Sequence, residues 1–328
     1  MDIRRVRTAT LLLSLALGVS GAPAEEQVGT WLNKMAQAAR SLSYDGIFVY
    51  QKNGQVDAMR LIRSVNGRGE HERLIALTGP ARELVRDDTM VTCIVPSGKA
   101  PPIGIKRTRN PFLAMVPQHY KVLQQFYHFR LGEQDRIAGR ITQQLIVEPK
   151  DHHRYGYHLW LDQESGLLLK SQVMDASDKS LEQMMFTSLE ILDKVPPDLL
   201  RPGNSLGSQG EQMRWHITEQ EPQDTNKSCW NVDWLPPGFS LVAHEMRRPS
   251  GSENALEHLV FTDGLALVSI FMEREPQPPV PVGVLQRGAV NTYTRRIGNT
   301  LVTVVGEIPA LTVKQIGDSV NYVGNASP

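Results

Sequence analysis

Between Val28 and Leu42 the apolar residues fall at Val28, Leu32, Met35, Ala39 and Leu42, which is the spacing of one helix face. This predicts a long amphipathic helix, stopped at Tyr44-Asp45-Gly46. The period then changes to that of strands. Residues 46–51 and 55–65 flank Lys52-Asn53-Gly54, and Asn-Gly between such runs marks a hairpin because both turn positions need positive φ. Asn66-Gly67 leads into 70–77, Thr78-Gly79-Pro80 into 82–86 and Asp87-Asp88 into 90–95, so an antiparallel meander is expected. Ile47 and Val49 alternate with Phe48 and Tyr50. Both sheet faces therefore carry apolar groups, one for the helix and one to line something else.

Residues 96–117 interrupt the meander with Pro101, Pro102, Pro111 and Pro117 and the basic cluster Lys106, Arg107 and Arg109. Strand patterns resume at 127–134, 140–148, 155–161, 167–174 and 183–191. A large twisted sheet with one helix across it satisfies this pattern. Pro, Gly, Ser and Gln then dominate 195–212, a linker composition. A smaller α+β unit follows, with strands at 241–246, 257–262 and 265–273 and a hairpin of 289–297 with 300–308 turning at Gly298-Asn299. Pro309 suits the first turn of a closing helix whose apolar face would be Val313, Ile316, Val320 and Val323. The fold class expected is α+β, mainly antiparallel β. Its divisions are an export signal (1–24), a large domain (25–200), a linker (201–220) and a small C-terminal α+β domain (221–328).

The first segment changes where the chain is expected to work. Arg4, Arg5 and Arg7 precede an apolar run from Leu11 to Val19 and the small-residue pattern Ala22-Pro23-Ala24, the layout of a cleaved export signal. The apolar run is shorter than the roughly 20 residues that a membrane-spanning helix needs. Charge is balanced, with 35 basic and 35 acidic side chains, which removes the footprint of a general nucleic-acid binder. Cys93 and Cys229 could pair in an oxidising compartment or remain two buried thiols, and spacing alone leaves this open.

Candidate chemistry is sparse. Gly203-Asn204-Ser205-Leu206-Gly207 spells GxSxG, but a nucleophile elbow needs a strand entering and a helix leaving, and Ser205 sits in the linker. His152, His153 and His158 lie near Asp151 and Asp162 without the helical spacing of a metal site, so a solvated turn is the simpler reading. No cofactor or metal is expected. Lys106, Arg107 and Arg109 are either a solvated loop or a contact to an anionic group or partner.

Several passages nevertheless occur together in a specific order: Tyr44-Asp45-Gly46-Ile47-Phe48-Val49-Tyr50, Asp151-His152-His153-Arg154-Tyr155-Gly156-Tyr157 leading to Leu159-Trp160-Leu161-Asp162, the Trp234 to Phe239 segment, Phe261-Thr262-Asp263-Gly264-Leu265-Ala266, and Val302-Thr303-Val304-Val305-Gly306-Glu307. In these the chain resembles the MucB/RseB family of periplasmic regulators of the envelope-stress sigma factor, over nearly the whole mature length. The resemblance implies a large N-terminal open half-barrel, similar to the lipoprotein carriers LolA and LolB, wrapped on a helix. It implies a periplasmic protein that binds the periplasmic region of a membrane-spanning, MucA/RseA-like anti-sigma factor. By that contact it would shield its partner from the site-1 protease, with release on sensing lipopolysaccharide or mislocalised lipoprotein.

On this reading the apolar concave face would be lined by Ile47, Val49, Ile62, Leu74, Val85, Val91, Leu145, Val147, Tyr157, Leu159 and Leu161, all equally consistent with plain core. A periplasmic lipid or lipoprotein carrier is the alternative function, and a hydrolase using Ser205 or His153 is a third. Self-association is left open.

Overall fold

The computed structural model describes residues 24–67, 69–96, 120–203, 210–216, 228–247, 256–274 and 281–324. The export signal, Lys106, Arg107, Arg109 and Ser205 lie outside the described residues. Helix α1 (Ala24–Ser41) carries Glu25 and Glu26 in its first turn and Arg40 in its last, each matched to the helix dipole. Its buried stripe is Val28, Leu32, Met35 and Ala38. The expected stop at Tyr44-Asp45-Gly46 is already strand, because the buried Tyr44 ring packs edge-on against Phe186 with centroids 6.0 Å apart.

Eleven strands form the first sheet: β1 (Ser43–Lys52), β2 (Gln55–Asn66), β3 (Gly69–Ala76), β4 (Glu83–Arg86), β5 (Met90–Pro96), β6 (Tyr127–Ile137), β7 (Arg140–Pro149), β8 (Gly156–Asp162), β9 (Leu168–Met174), β10 (Ser180–Leu192) and β11 (Gly210–His216). Short helices α2 (Tyr120–Leu123) and α3 (Pro197–Leu200) flank it. The order is β11-β5-β4-β3-β2-β1-β10-β9-β8-β7-β6, and the neighbouring strands pair antiparallel. Asn53 and Gly54 turn the first hairpin with φ of 51° and 77°, the positive pair that such a turn demands.

The segment expected to be pure linker supplies an edge strand. Gly210 stands opposite Pro96 and His216 opposite Met90. Ladder pairing uses backbone groups alone, so a polar composition does not forbid it.

The second domain has a six-stranded sheet, β13-β14-β15-β18-β17-β16, from β13 (Ser240–Arg247), β14 (Leu256–Thr262), β15 (Leu267–Arg274), β16 (Gly283–Arg287), β17 (Val290–Ile297) and β18 (Thr300–Gly306). Helix α4 (Ala310–Asp318) lies on it, and β12 (Trp230–Val232) pairs with β19 (Val320–Tyr322). The closing helix is therefore shorter than its apolar spacing suggests. Val320 leaves the helix to pair with Val232 and is fully buried, whereas Val323 is 60% exposed. Val313 and Ile316 pack on Val302, Val304 and Ile270 in one core. Among the described residues no helix is long and apolar enough to cross a membrane.

Candidate functional site

Helix α1 covers only part of the first sheet. Where it lies, its stripe joins Leu145, Val147, Tyr157, Leu159 and Leu161 in a continuous core, so these five expected lining residues are packed interior. Four others stand on the opposite side of the sheet. Register pairs Ile47 with Arg60, Val49 with Ala58 and Ile62 with Asp45, while Phe48, Tyr44 and Leu61 face the helix. Val85 pairs with Arg73 and shares that outer side, where Arg73 donates to the Leu199 carbonyl of α3 at 3.0 Å.

Beyond the helix, the inner face of β2 to β5 is incompletely closed: Leu61 and Cys93 are buried, whereas Met59, Leu74 and Leu84 are only half-buried. Leu61, Leu74, Leu84 and Cys93 follow one another across four strands, and Met59 stands opposite Ala76 on the next rung. Met59, Leu74, Ala76, Arg82, Glu83, Leu84 and Cys93 line a pocket of about 210 Å³. Its walls are almost entirely apolar. A dry cavity of about 150 Å³ already accepts benzene, so this one can take several carbons of an acyl chain.

Leu74 is the expected lining residue that the pocket contains; Val91 is buried one rung away opposite Arg86. Met59, Ala76, Leu84, Cys93 and Arg82 were missed. The hairpin at Asn53-Gly54 held the signal for Met59: counting outward from the turn pairs it with Phe48.

Charge at the pocket is asymmetric. Glu83 is gripped by Arg73 at 2.7 and 3.2 Å and accepts the Gly203 N–H at 2.8 Å. Arg82 is exposed at the rim, and its charge partly opposes the upward push that burial gives the Cys93 thiol. Cys93 is buried and Cys229 exposed, and both are free thiols, so the reading of two buried thiols holds for the first alone.

The histidine-containing turn has a different task. His152 is exposed, His153 packs edge-on against Trp234 at 5.2 Å, and burial lowers the His158 pKa. Among the described residues no His, Cys, Asp and Glu group is arranged to hold a metal. Arg154, within the same turn, reaches across to the second domain. Its Nη1 lies 2.7 Å from Asp263 Oδ2, with both side chains fully buried. Its Nη2 donates to the Pro237 carbonyl at 2.7 Å, and its Nε to Asp151 at 3.1 Å.

The Tyr127 hydroxyl donates to Asp263 at 2.8 Å; burial, reinforced by that carboxylate, pushes the phenol well up. The guanidinium lies over the rings of Phe126, Tyr127 and Phe239 at 5.1 to 5.4 Å, a cation–π cage. Three of the sequence passages singled out above, at 151–157, 234–239 and 261–266, thus converge on one domain junction.

The fold and these two surfaces define a two-domain binding protein: an open, helix-wrapped antiparallel sheet with an apolar pocket, locked to a smaller α+β domain. Family models for the MucB/RseB N-terminal domain and the MucB/RseB C-terminal domain match residues 27–204 and 224–321. The chain belongs to the MucB/RseB family. It is 32% identical over 323 residues to the sigma factor AlgU regulatory protein MucB of Pseudomonas aeruginosa, covering 96% of this chain and 98% of that one. It is 27% identical to the sigma-E factor regulatory protein RseB of Haemophilus influenzae, covering 97% and 98%. A crystal structure of MucB in complex with MucA(peri) superposes with a TM-score of 0.70 at 29% identity, over 90% of this chain and 99% of that one.

Proposed function

We propose that this chain is a periplasmic negative regulator of an envelope-stress sigma factor pathway. It binds the periplasmic region of a membrane-spanning anti-sigma factor and covers the segment that the site-1 protease cuts. The observation that carries this reading is the full-length similarity to a MucB crystallised with MucA(peri). Relatives named as regulators of AlgU and of sigma-E support it. Binding the purified periplasmic segment of the anti-sigma factor cognate to this chain tests it directly: a saturable one-to-one complex is expected, and no association at micromolar concentration overturns it.

Release is assigned to an amphiphile whose acyl part enters the pocket of Met59, Leu74, Ala76, Leu84 and Cys93, the chemistry of lipopolysaccharide or a mislocalised lipoprotein. The apolar lining and the exposed Arg82 at its rim support such a ligand. Each buried methylene contributes about 0.8 kcal/mol, so five or six yield roughly 4 to 5 kcal/mol before ordering costs. A ligand acts only through different affinity for the free and partner-bound forms. The carrier alternative gains nothing from the buried Arg154–Asp263 lock, because cargo transfer gives the second domain no task.

A further inference from the structure

The last strand of the first sheet runs beside a second cavity. β6 ends the sheet order, so one of its edges has no neighbouring strand among the described residues. A groove of about 470 Å³ follows that edge, lined by Glu25, Tyr120, Gln124, Lys150 and the consecutive residues 127–131. Successive side chains of a strand point to opposite faces, so a lining of five consecutive residues means that the groove meets β6 edge-on. The backbone there follows a defined pattern. The Lys150 N–H donates to the Phe126 carbonyl at 2.9 Å, and bonded rungs of an antiparallel ladder recur at every second residue. His128 and Arg130, opposite Glu148 and Ile146, are therefore bonded to β7, while Phe129 and Leu131 turn their N–H and C=O groups toward the groove. Past Leu131 the edge is closed. The register shifts before Gln134, the Gln143 amide caps the Gly132 carbonyl at 2.7 Å, and Glu133, Asp135 and Arg136 are exposed; bulges and charges of this kind keep a sheet edge from pairing. Residues 127–131 keep a regular register instead.

We propose that the β6 edge is a docking site for an extended segment of another polypeptide, one that alternates apolar and acidic residues and adds a strand to the sheet at Phe129 and Leu131. N–H donors and carbonyl acceptors repeating at strand spacing are matched in full by another extended backbone; a lipid or a sugar has no such repeat. The side chains then specify the incoming strand. On the inner face Tyr120 packs edge-on against Phe129 with centroids 5.0 Å apart, and Tyr127, Phe129 and Leu131 join the main core, which calls for apolar residues. On the outer face His128, Arg130 and Lys150 are exposed beside Glu148, which Arg130 already holds at 2.6 Å. Lys150 meets the Gln124 carbonyl at 2.6 Å and no carboxylate among the described residues, which calls for acidic ones. Glu25, at the helix end of the groove, accepts from the Gln124 amide at 2.5 Å. This docking site shares no residue with the acyl pocket and is independent of the partner named above.

Calorimetry and hydrogen exchange on the full-length mature chain test it, with a synthetic peptide of about eight residues that alternates Val and Asp. Saturable binding is expected below about 1 mM. Exchange of the Phe129 and Leu131 amides should slow about tenfold in the complex, while the His128 and Arg130 amides, already in the ladder, keep their rates. Methylating the peptide nitrogens of either the Val set or the Asp set blocks one edge of the peptide; one set should weaken binding at least tenfold and the other should leave it unchanged. A Val and Lys peptide should bind at least about fivefold more weakly. In the protein, Phe129→Pro removes a donor that the β7 ladder does not use, a substitution that edge strands accept. It should bind about fivefold more weakly than Phe129→Ala, which loses the ring but keeps the N–H. No saturation by about 1 mM, equal binding of the two methylated peptides, unslowed Phe129 and Leu131 amides, equal binding of the Val and Lys peptide, or equal binding by Phe129→Pro and Phe129→Ala would each overturn the docking site.

Discussion

The pocket on β2 to β5 and the junction around Arg154 depart from ordinary burial in opposite directions. One leaves apolar side chains open beside a core that could have closed over them; the other takes a guanidinium and a carboxylate completely out of water. At the junction the desolvation cost is met within the chain: Asp263 has Arg154, Tyr127 and two backbone N–H groups at 2.8 and 2.9 Å. The pocket has apolar walls, a rim cation and a Glu83 carboxylate already held by Arg73. The difference teaches that the domains are fixed to each other by polar groups that satisfy one another within the chain, while the sheet keeps a surface suited to an outside molecule.

The largest effect is expected from breaking the junction one-sidedly. Arg154→Met strands Asp263 in a dry interface and should cost about 3 to 5 kcal/mol, read as a lower midpoint in denaturant unfolding. A change below about 1 kcal/mol would mean the pair is not truly buried. Filling the pocket should do the reverse. Leu84→Trp is expected to shift stability by less than about 1 kcal/mol, since it enters open space instead of an overpacked core, yet to weaken binding of an acyl amphiphile at least tenfold, measured by calorimetry; undiminished binding would remove the ligand from this pocket.

Cys93 offers a milder probe. Its thiol is buried and its pKa raised, so alkylation should be slow, and a saturating acyl amphiphile should slow it about fivefold further by occlusion. An unaltered rate would put the ligand elsewhere. The smallest effect belongs to Arg82→Ala, expected to weaken an anionic amphiphile about twofold to threefold at low salt, with the difference vanishing at high salt because exposed charges are screened. Equal losses for a neutral amphiphile would contradict that role.

Much of the architecture was legible because local rules decide it. Asn53-Gly54 fixes one hairpin, and the stripe beginning at Val28 fixes the helix that the sheet wraps. The pocket was only half legible. Alternation along β1 and β8 marks which residues can face inward, but it cannot say where α1 stops; that is why Leu145 and Leu159 are fully core while Leu74 and Leu84 are only half-buried and line the pocket. The junction was illegible for a plainer reason. Arg154 sits in a turn of His and Asp that reads as solvated, and its partner lies 109 residues away.

The central claim is that the chain acts by covering a partner and is released through the pocket. The most direct measurement is the time course of site-1 cleavage of the anti-sigma periplasmic segment, with this protein added and then an acyl amphiphile. Cleavage should slow with either the unmodified protein or Leu84→Trp, and the amphiphile should restore it only for the unmodified one. Cleavage that ignores the protein, or amphiphile rescue that is equal in both, would contradict the account.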